Sequence, residues 1–155
     1  YEDFQEEISG KIILLSDTDA QLVNYDVKKY PNLYCKRIVN CMKERTTKLV
    51  NIQANPVSPA TEIEDSLNGK LFYETLCTFI DSYPDKLSFL HEIEDEITQE
   101  SSRIALDLKA SQWGEIEQFF DLDNNKFSFS KRYVEAISDE YAVPSWIEEI
   151  REWLG

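Results

Sequence analysis

Displaced by 40 residues, the stretch YETLCTFIDSYPDKLSFLHEIEDEITQE (73–100) lies over WGEIEQFFDLDNNKFSFSKRYVEAISDE (113–140) without a gap. Phe79/Phe119, Asp81/Asp121, Lys86/Lys126, Ser88/Ser128, Phe89/Phe129, Ile97/Ile137 and Glu100/Glu140 are identical, and Tyr73/Trp113, Leu76/Ile116 and Ile80/Phe120 keep apolar character. Each copy reads as an apolar helix, a short turn carrying Asp and Lys, and a second helix. Units of this kind bury their apolar stripes only by packing on one another. The chain also holds four glycines and five prolines, few for a sandwich or barrel, whose many tight turns consume those residues. The first expectation is therefore an all-helical fold.

A helical period runs through most of the chain. Tyr1, Phe4, Ile8, Ile12 and Leu15 recur at three or four residues, although a strand through KIILL fits as well. A second helix starts near Asp19. From Pro31, Tyr34, Ile38, Cys41, Met42 and Leu49 share one face of a long helix, with Lys29, Lys36 and Lys43 seven apart on the opposite side. Ser58 and Pro59 open the next, and KLFYETLCTFIDSY, the most apolar stretch, reads as the central helix. Beyond Pro84, Leu87, Leu90, Ile93, Ile97, Ile104 and Leu108 keep the spacing to about residue 110. Trp113, Ile116, Phe119 and Phe120 mark another helix, and Tyr133, Val134, Ile137 and Tyr141 the one after it. PSWIEEIREWLG opens with a capping-box spacing, Ser145 to Glu148. About seven helices result, in one domain spanning 1–155. Because it begins at Tyr1 rather than Met, the chain reads as a piece of a longer protein.

A period near 40 residues built of two helices resembles the HEAT-type repeats, including those of importin-β and exportin-like transport factors. That resemblance implies an irregular stack of antiparallel helical hairpins. QWGEIEQFF (112–120) also resembles the BH1 motif of the Bcl-2 family, and WIEEIREW (146–153) resembles its BH2, with tryptophans seven apart. That resemblance implies a helical bundle with a groove for a BH3-type helix. The departure is Glu115, which stands where the family carries an arginine that pairs with the ligand's aspartate.

Charge narrows the partners. Thirty acidic against sixteen basic residues leave a net charge of −14, which opposes binding to phosphate backbones. Residues 28–48 carry +6 and the remainder −20. Lys29, Lys36 and Lys43 read as a solvated basic face, or as one that docks on an acidic neighbour in this chain or another. Glu92, Glu94, Asp95, Glu96 and Glu100 form an acidic ridge.

Chemistry is sparse. No Gly-rich phosphate loop, GxSxG or HExxH occurs, and His91 is the single histidine. Cys35, Cys41 and Cys77 lack CxxC spacing and read as small buried residues of a reducing, intracellular compartment. Asp121, Asp123 and Asn125 occupy positions one, three and five of an EF-hand-like loop, but Lys126 replaces its glycine and Arg132 its closing glutamate. The expectation is a cofactor-free, metal-free, non-enzymatic adaptor domain, cytoplasmic or nuclear and without a membrane span. Its acidic ridge receives a basic or helical segment of a partner protein, with no direct contact to nucleic acid. The alternatives are a Bcl-2-like regulator and an acidic mimic of nucleic acid.

Overall fold

The computed structural model describes residues 10–18, 32–41, 43–52, 61–94 and 97–155. Among these there are three strands and six α-helices. The strands β1 (Ile12–Ser16), β2 (Leu33–Cys41) and β3 (Thr46–Asn51) form one sheet in the order β1-β2-β3. β1 runs parallel to β2, pairing Ile13 with Tyr34 and Leu15 with Lys36, while β3 is antiparallel and pairs Leu49 with Ile38. The fold is α+β. This corrects the all-helical expectation, and with it both the HEAT-like stack and the Bcl-2-like bundle.

The correction has a physical reason. Tyr34 and Ile38 are four residues apart, a separation that suits the helical period of 3.6 and the strand period of 2 equally well. In the strand, Tyr34, Lys36 and Ile38 share one face, while Arg37 and Val39 are buried on the other. Lysines seven apart cannot share a strand face. Lys36 lies within β2, Lys43 lies in the turn after it, and Lys29 falls outside the described residues. The scarcity of glycine was no obstacle either, because among the described residues the antiparallel pair β2–β3 is joined through a tight turn at residues 43–45 that holds no glycine.

A 3-10 turn (Ile63–Ser66) leads into α1 (Gly69–Cys77), followed by α2 (Pro84–Leu87), a second 3-10 turn (Ser88–Glu92), α3 (Ser102–Leu106), α4 (Ala110–Asp121), α5 (Asn125–Glu135) and α6 (Trp146–Leu154). Asn68 caps α1 by accepting the Leu71 amide at 3.1 Å. α1 packs on α3 and on α5, and α2 packs on α4. Leu71, Phe72, Leu76, Phe119 and Phe129 are at the centre of the resulting core. Nine-residue α1, the expected central helix, is buried on most of its circumference.

The sheet has its own core. Trp146, Ile147 and Ile150 of α6 lie on Ile38, Leu49, Leu15 and Tyr34. Lys11 Nζ donates to the carbonyls of Trp153 and Leu154, the latter at 3.0 Å, placing a cation at the negative end of that helix. Just beyond β1, Thr18 and Thr61 exchange backbone hydrogen bonds of 2.8 Å, and the Thr18 hydroxyl donates to the Ile38 carbonyl at 2.6 Å. No helix among the described residues is long and apolar enough to cross a membrane.

Candidate interaction site

The chain bends at Ile93, so the acidic residues expected along one helix are dispersed. Glu92 ends the second 3-10 turn and Glu94 follows the bend, both exposed. Glu94 lines a hollow with Glu74, Asp81 and His91, whereas Glu92 lines a different cleft. Asp95 and Glu96 lie outside the described residues. Glu100, just before α3, is half-buried and faces the turn between β2 and β3.

That turn supplies a residue that sequence reading did not single out. Arg45 forms a two-pronged pair with Glu100, Nε to Oε1 at 3.1 Å and Nη2 to Oε2 at 2.6 Å. A planar guanidinium matches the two carboxylate oxygens in this way. The Thr98 hydroxyl donates to Oε2 at 3.1 Å and holds the acceptor in place. The Arg45 hydrogen bonds lower the Glu100 pKa, and Glu100, then Asp107, raise that of Arg45. The sequence carries a trace of this, because a +6 segment in a −14 chain has acidic neighbours of its own to meet. Lys36 does the same elsewhere, with Nζ 3.8 Å from Glu149 Oε1 and 3.2 Å from Asn51 Oδ1. Lys43 is exposed.

Arg45 and Glu92 border a cleft of about 490 Å³. Ile93, Ile97, Ile104, Ala105, Leu106 and Asp107 complete its lining, which is more polar than apolar. Ile104 and Leu106 are buried, while Ile93 and Ile97 are half-buried. Two backbones on the rim are left-handed, Arg45 at φ 52° and Asp107 at φ 45°. Non-glycine residues adopt that region at a cost. Carboxylates next to partly exposed aliphatic side chains suit a side chain that is aliphatic along its length and cationic at its tip.

The remaining candidates are occupied differently. Asp123 Oδ2 accepts the Tyr83 hydroxyl at 2.9 Å, and Asn125 Nδ2 donates to the Phe119 carbonyl at 3.0 Å. Arg132 donates to the Thr78 carbonyl at 3.1 Å. These side chains of the EF-hand-like stretch each have a separate partner. Millimolar Ca²⁺ is expected to leave the melting temperature unchanged; a rise reversed by chelator would refute this. Among the described residues no group of three or more His, Cys, Asp or Glu is placed to hold a metal ion. Cys35, Cys41 and Cys77 are free thiols, and burial raises the pKa of Cys35 and Cys77.

Comparison with family models, with curated proteins and with solved structures gives no match to this chain.

Proposed function

We propose that this chain is a non-catalytic protein–protein interaction domain, acting inside the cell, whose acidic cleft receives a basic segment of a partner. The observation that carries the reading is the cleft itself, where the carboxylates of Glu92 and Asp107 stand beside Ile93, Ile97, Ile104 and Leu106. Carboxylates beside aliphatic side chains are what a basic, partly apolar segment would meet. The free thiols support a reducing compartment. The net charge of −14 favours encounter with cationic partners and disfavours nucleic acid.

The test is titration with a short labelled peptide of alternating arginine and leucine, at low and high salt. Screening shortens the reach of exposed charges from about 30 Å at 0.01 M to about 3 Å at 1 M salt, so affinity is expected to fall steeply as salt rises. Glu92→Lys and Asp107→Lys should weaken binding further, and a serine-for-arginine peptide should not bind. Binding that ignores both salt and these substitutions, or no binding at all, would overturn the proposal.

A further inference from the structure

We infer that the outer face of α5 is a second docking surface, and that it takes an amphipathic helix of a partner protein carrying a carboxylate opposite Lys131. The inference goes beyond the cleft and does not depend on it, since the two share no residue.

α5 is apolar on two sides. Phe129 and Tyr133, with Asn125, face the core and are buried, and the Tyr133 hydroxyl accepts the Asn68 amide at 3.0 Å. On the far side Phe127 and Val134 are seven residues apart, close to two helical turns, so they lie in one row with Lys131 between them. Ile137 follows just past the helix end, its amide donating to the Val134 carbonyl at 3.3 Å. Phe127, Val134 and Ile137 are 66%, 65% and 56% exposed, three of the four large apolar side chains that are more than half exposed among the described residues. One such side chain needs no explanation, but a row of them marks a contact surface. The helix cannot turn to bury it, because Phe129 and Tyr133 hold the other side in the core.

Lys131 decides what fits. The other two cations of α5 are engaged. Lys126 Nζ is 2.5 Å from Glu64 Oε1, and the Arg132 guanidinium donates to Thr78 and covers the Phe79 ring. No carboxylate among the described residues pairs with Lys131, Glu135 one turn on included. A segment lying along Phe127 and Val134 strips water from the ammonium between them, and a desolvated cation without a counter-charge is costly. The occupant therefore brings the carboxylate. A helix does so while setting apolar residues three, four and seven apart along the row. A second copy of α5 does not. Laid antiparallel so that Phe127 meets Val134, the two helices bring their Lys131 ammonium groups together, and like charges at close range repel.

The experiment titrates the full chain, up to millimolar concentration, with two labelled helix-forming peptides. Both carry leucines three, four and seven apart, and they differ only in a central glutamate or lysine. The glutamate peptide should bind the wild-type chain about tenfold more tightly than the lysine peptide. Lys131→Glu should reverse that preference, which a loss of folding cannot do. Phe127→Ser and Val134→Ser should each weaken the glutamate peptide about tenfold or more, whereas Leu154→Ser, at a 48% exposed side chain on α6, should change little. The arginine–leucine peptide should bind the Phe127 and Val134 variants as it binds wild type, so failure at α5 leaves the cleft standing, and the reverse. Equal binding of the glutamate and lysine peptides to wild type, no reversal in Lys131→Glu, or no binding of either overturns the inference. So does self-association of the chain, seen by sedimentation and abolished by Phe127→Ser, because the occupant would then be a second copy.

Discussion

Phe119→Ala is expected to cost about 3–5 kcal/mol of folding stability, the usual range for removing a fully buried phenylalanine. The ring is 0% exposed, and it meets Phe79 at 5.1 Å, Tyr83 at 5.2 Å and Phe120 at 5.5 Å between centroids. Truncation leaves a cavity between α4 and the segment joining α1 to α2, which neither side can close without disturbing the other. A domain commonly has about 5–15 kcal/mol in total, so the variant should melt far earlier or fail to fold. Phe79→Ala should behave similarly, because its ring is buried against Phe119 and is covered by the Arg132 guanidinium at 3.9 Å. The two losses should not add, since the rings touch. Chemical denaturation checks this, with exposed Glu94→Ala as a control expected within about 0.5 kcal/mol. If Phe119→Ala unfolds like that control, the packing described for this core is wrong.

Gly69→Ala is expected to destabilise, against the ordinary trend by which alanine in place of glycine strengthens a helix by about 1 kcal/mol. Gly69 is the first residue of α1, and a Cβ added there would stand 2.1 Å from the Cβ of Ala105 and 2.9 Å from the Glu100 carbonyl oxygen. α1 and α3 would have to separate. Forcing atoms into a filled site typically costs about 1–3 kcal/mol, occasionally more. The Gly69 amide also donates to the Glu100 carbonyl at 2.8 Å, so the disturbance reaches the residue that holds Arg45. Ala105→Gly in the same molecule removes the nearest obstacle and should restore part of the loss, although the Glu100 carbonyl remains close. Thermal melts of the single and double variants decide the point. A stabilised Gly69→Ala would show that the two helices do not approach so closely.

The helical half was more legible in the sequence than the sheet. Trp113, Ile116 and Phe119 are buried along α4 as their spacing predicts. In α5 the expected stripe is only partly right. Tyr133 is buried, but Val134 and Ile137 are 65% and 56% exposed, and the inward face is Asn125, Phe129 and Tyr133. Strict four-residue spacing, with a polar first member, conceals that face from a search for apolar runs. In α6, Trp146, Ile147 and Ile150 cover the sheet while Leu154 is 48% exposed, and amphipathicity alone reports that a face is covered, not whether a helix or a sheet covers it. Ser145 does not close the expected capping box. Its hydroxyl donates to the Thr47 carbonyl at 3.2 Å instead.

The candidate site was legible by halves. Carboxylates at 92, 94 and 100 are visible in any reading, but the bend at Ile93 and the turn that brings in Arg45 depend on tertiary contacts between residues 55 apart. Asp107 had no signal beyond its charge. Its part in the cleft follows from the left-handed backbone that ends α3.

The position of α6 sets a timetable for the growing chain. Its contacts with the sheet join residues 98 and 115 apart, Thr47 with Ser145 and Tyr34 with Glu149. At the usual rate of about 5–20 residues per second, some 5–20 s separate synthesis of β3 from synthesis of the helix that covers it. Through that interval Tyr34, Ile38 and Leu49 form an uncovered apolar strip on the sheet, flanked by β1 and β3, its outer strands among the described residues, the kind of surface that draws other strands. In the nascent chain the sheet, rather than the larger helical core, is the part that calls for a chaperone.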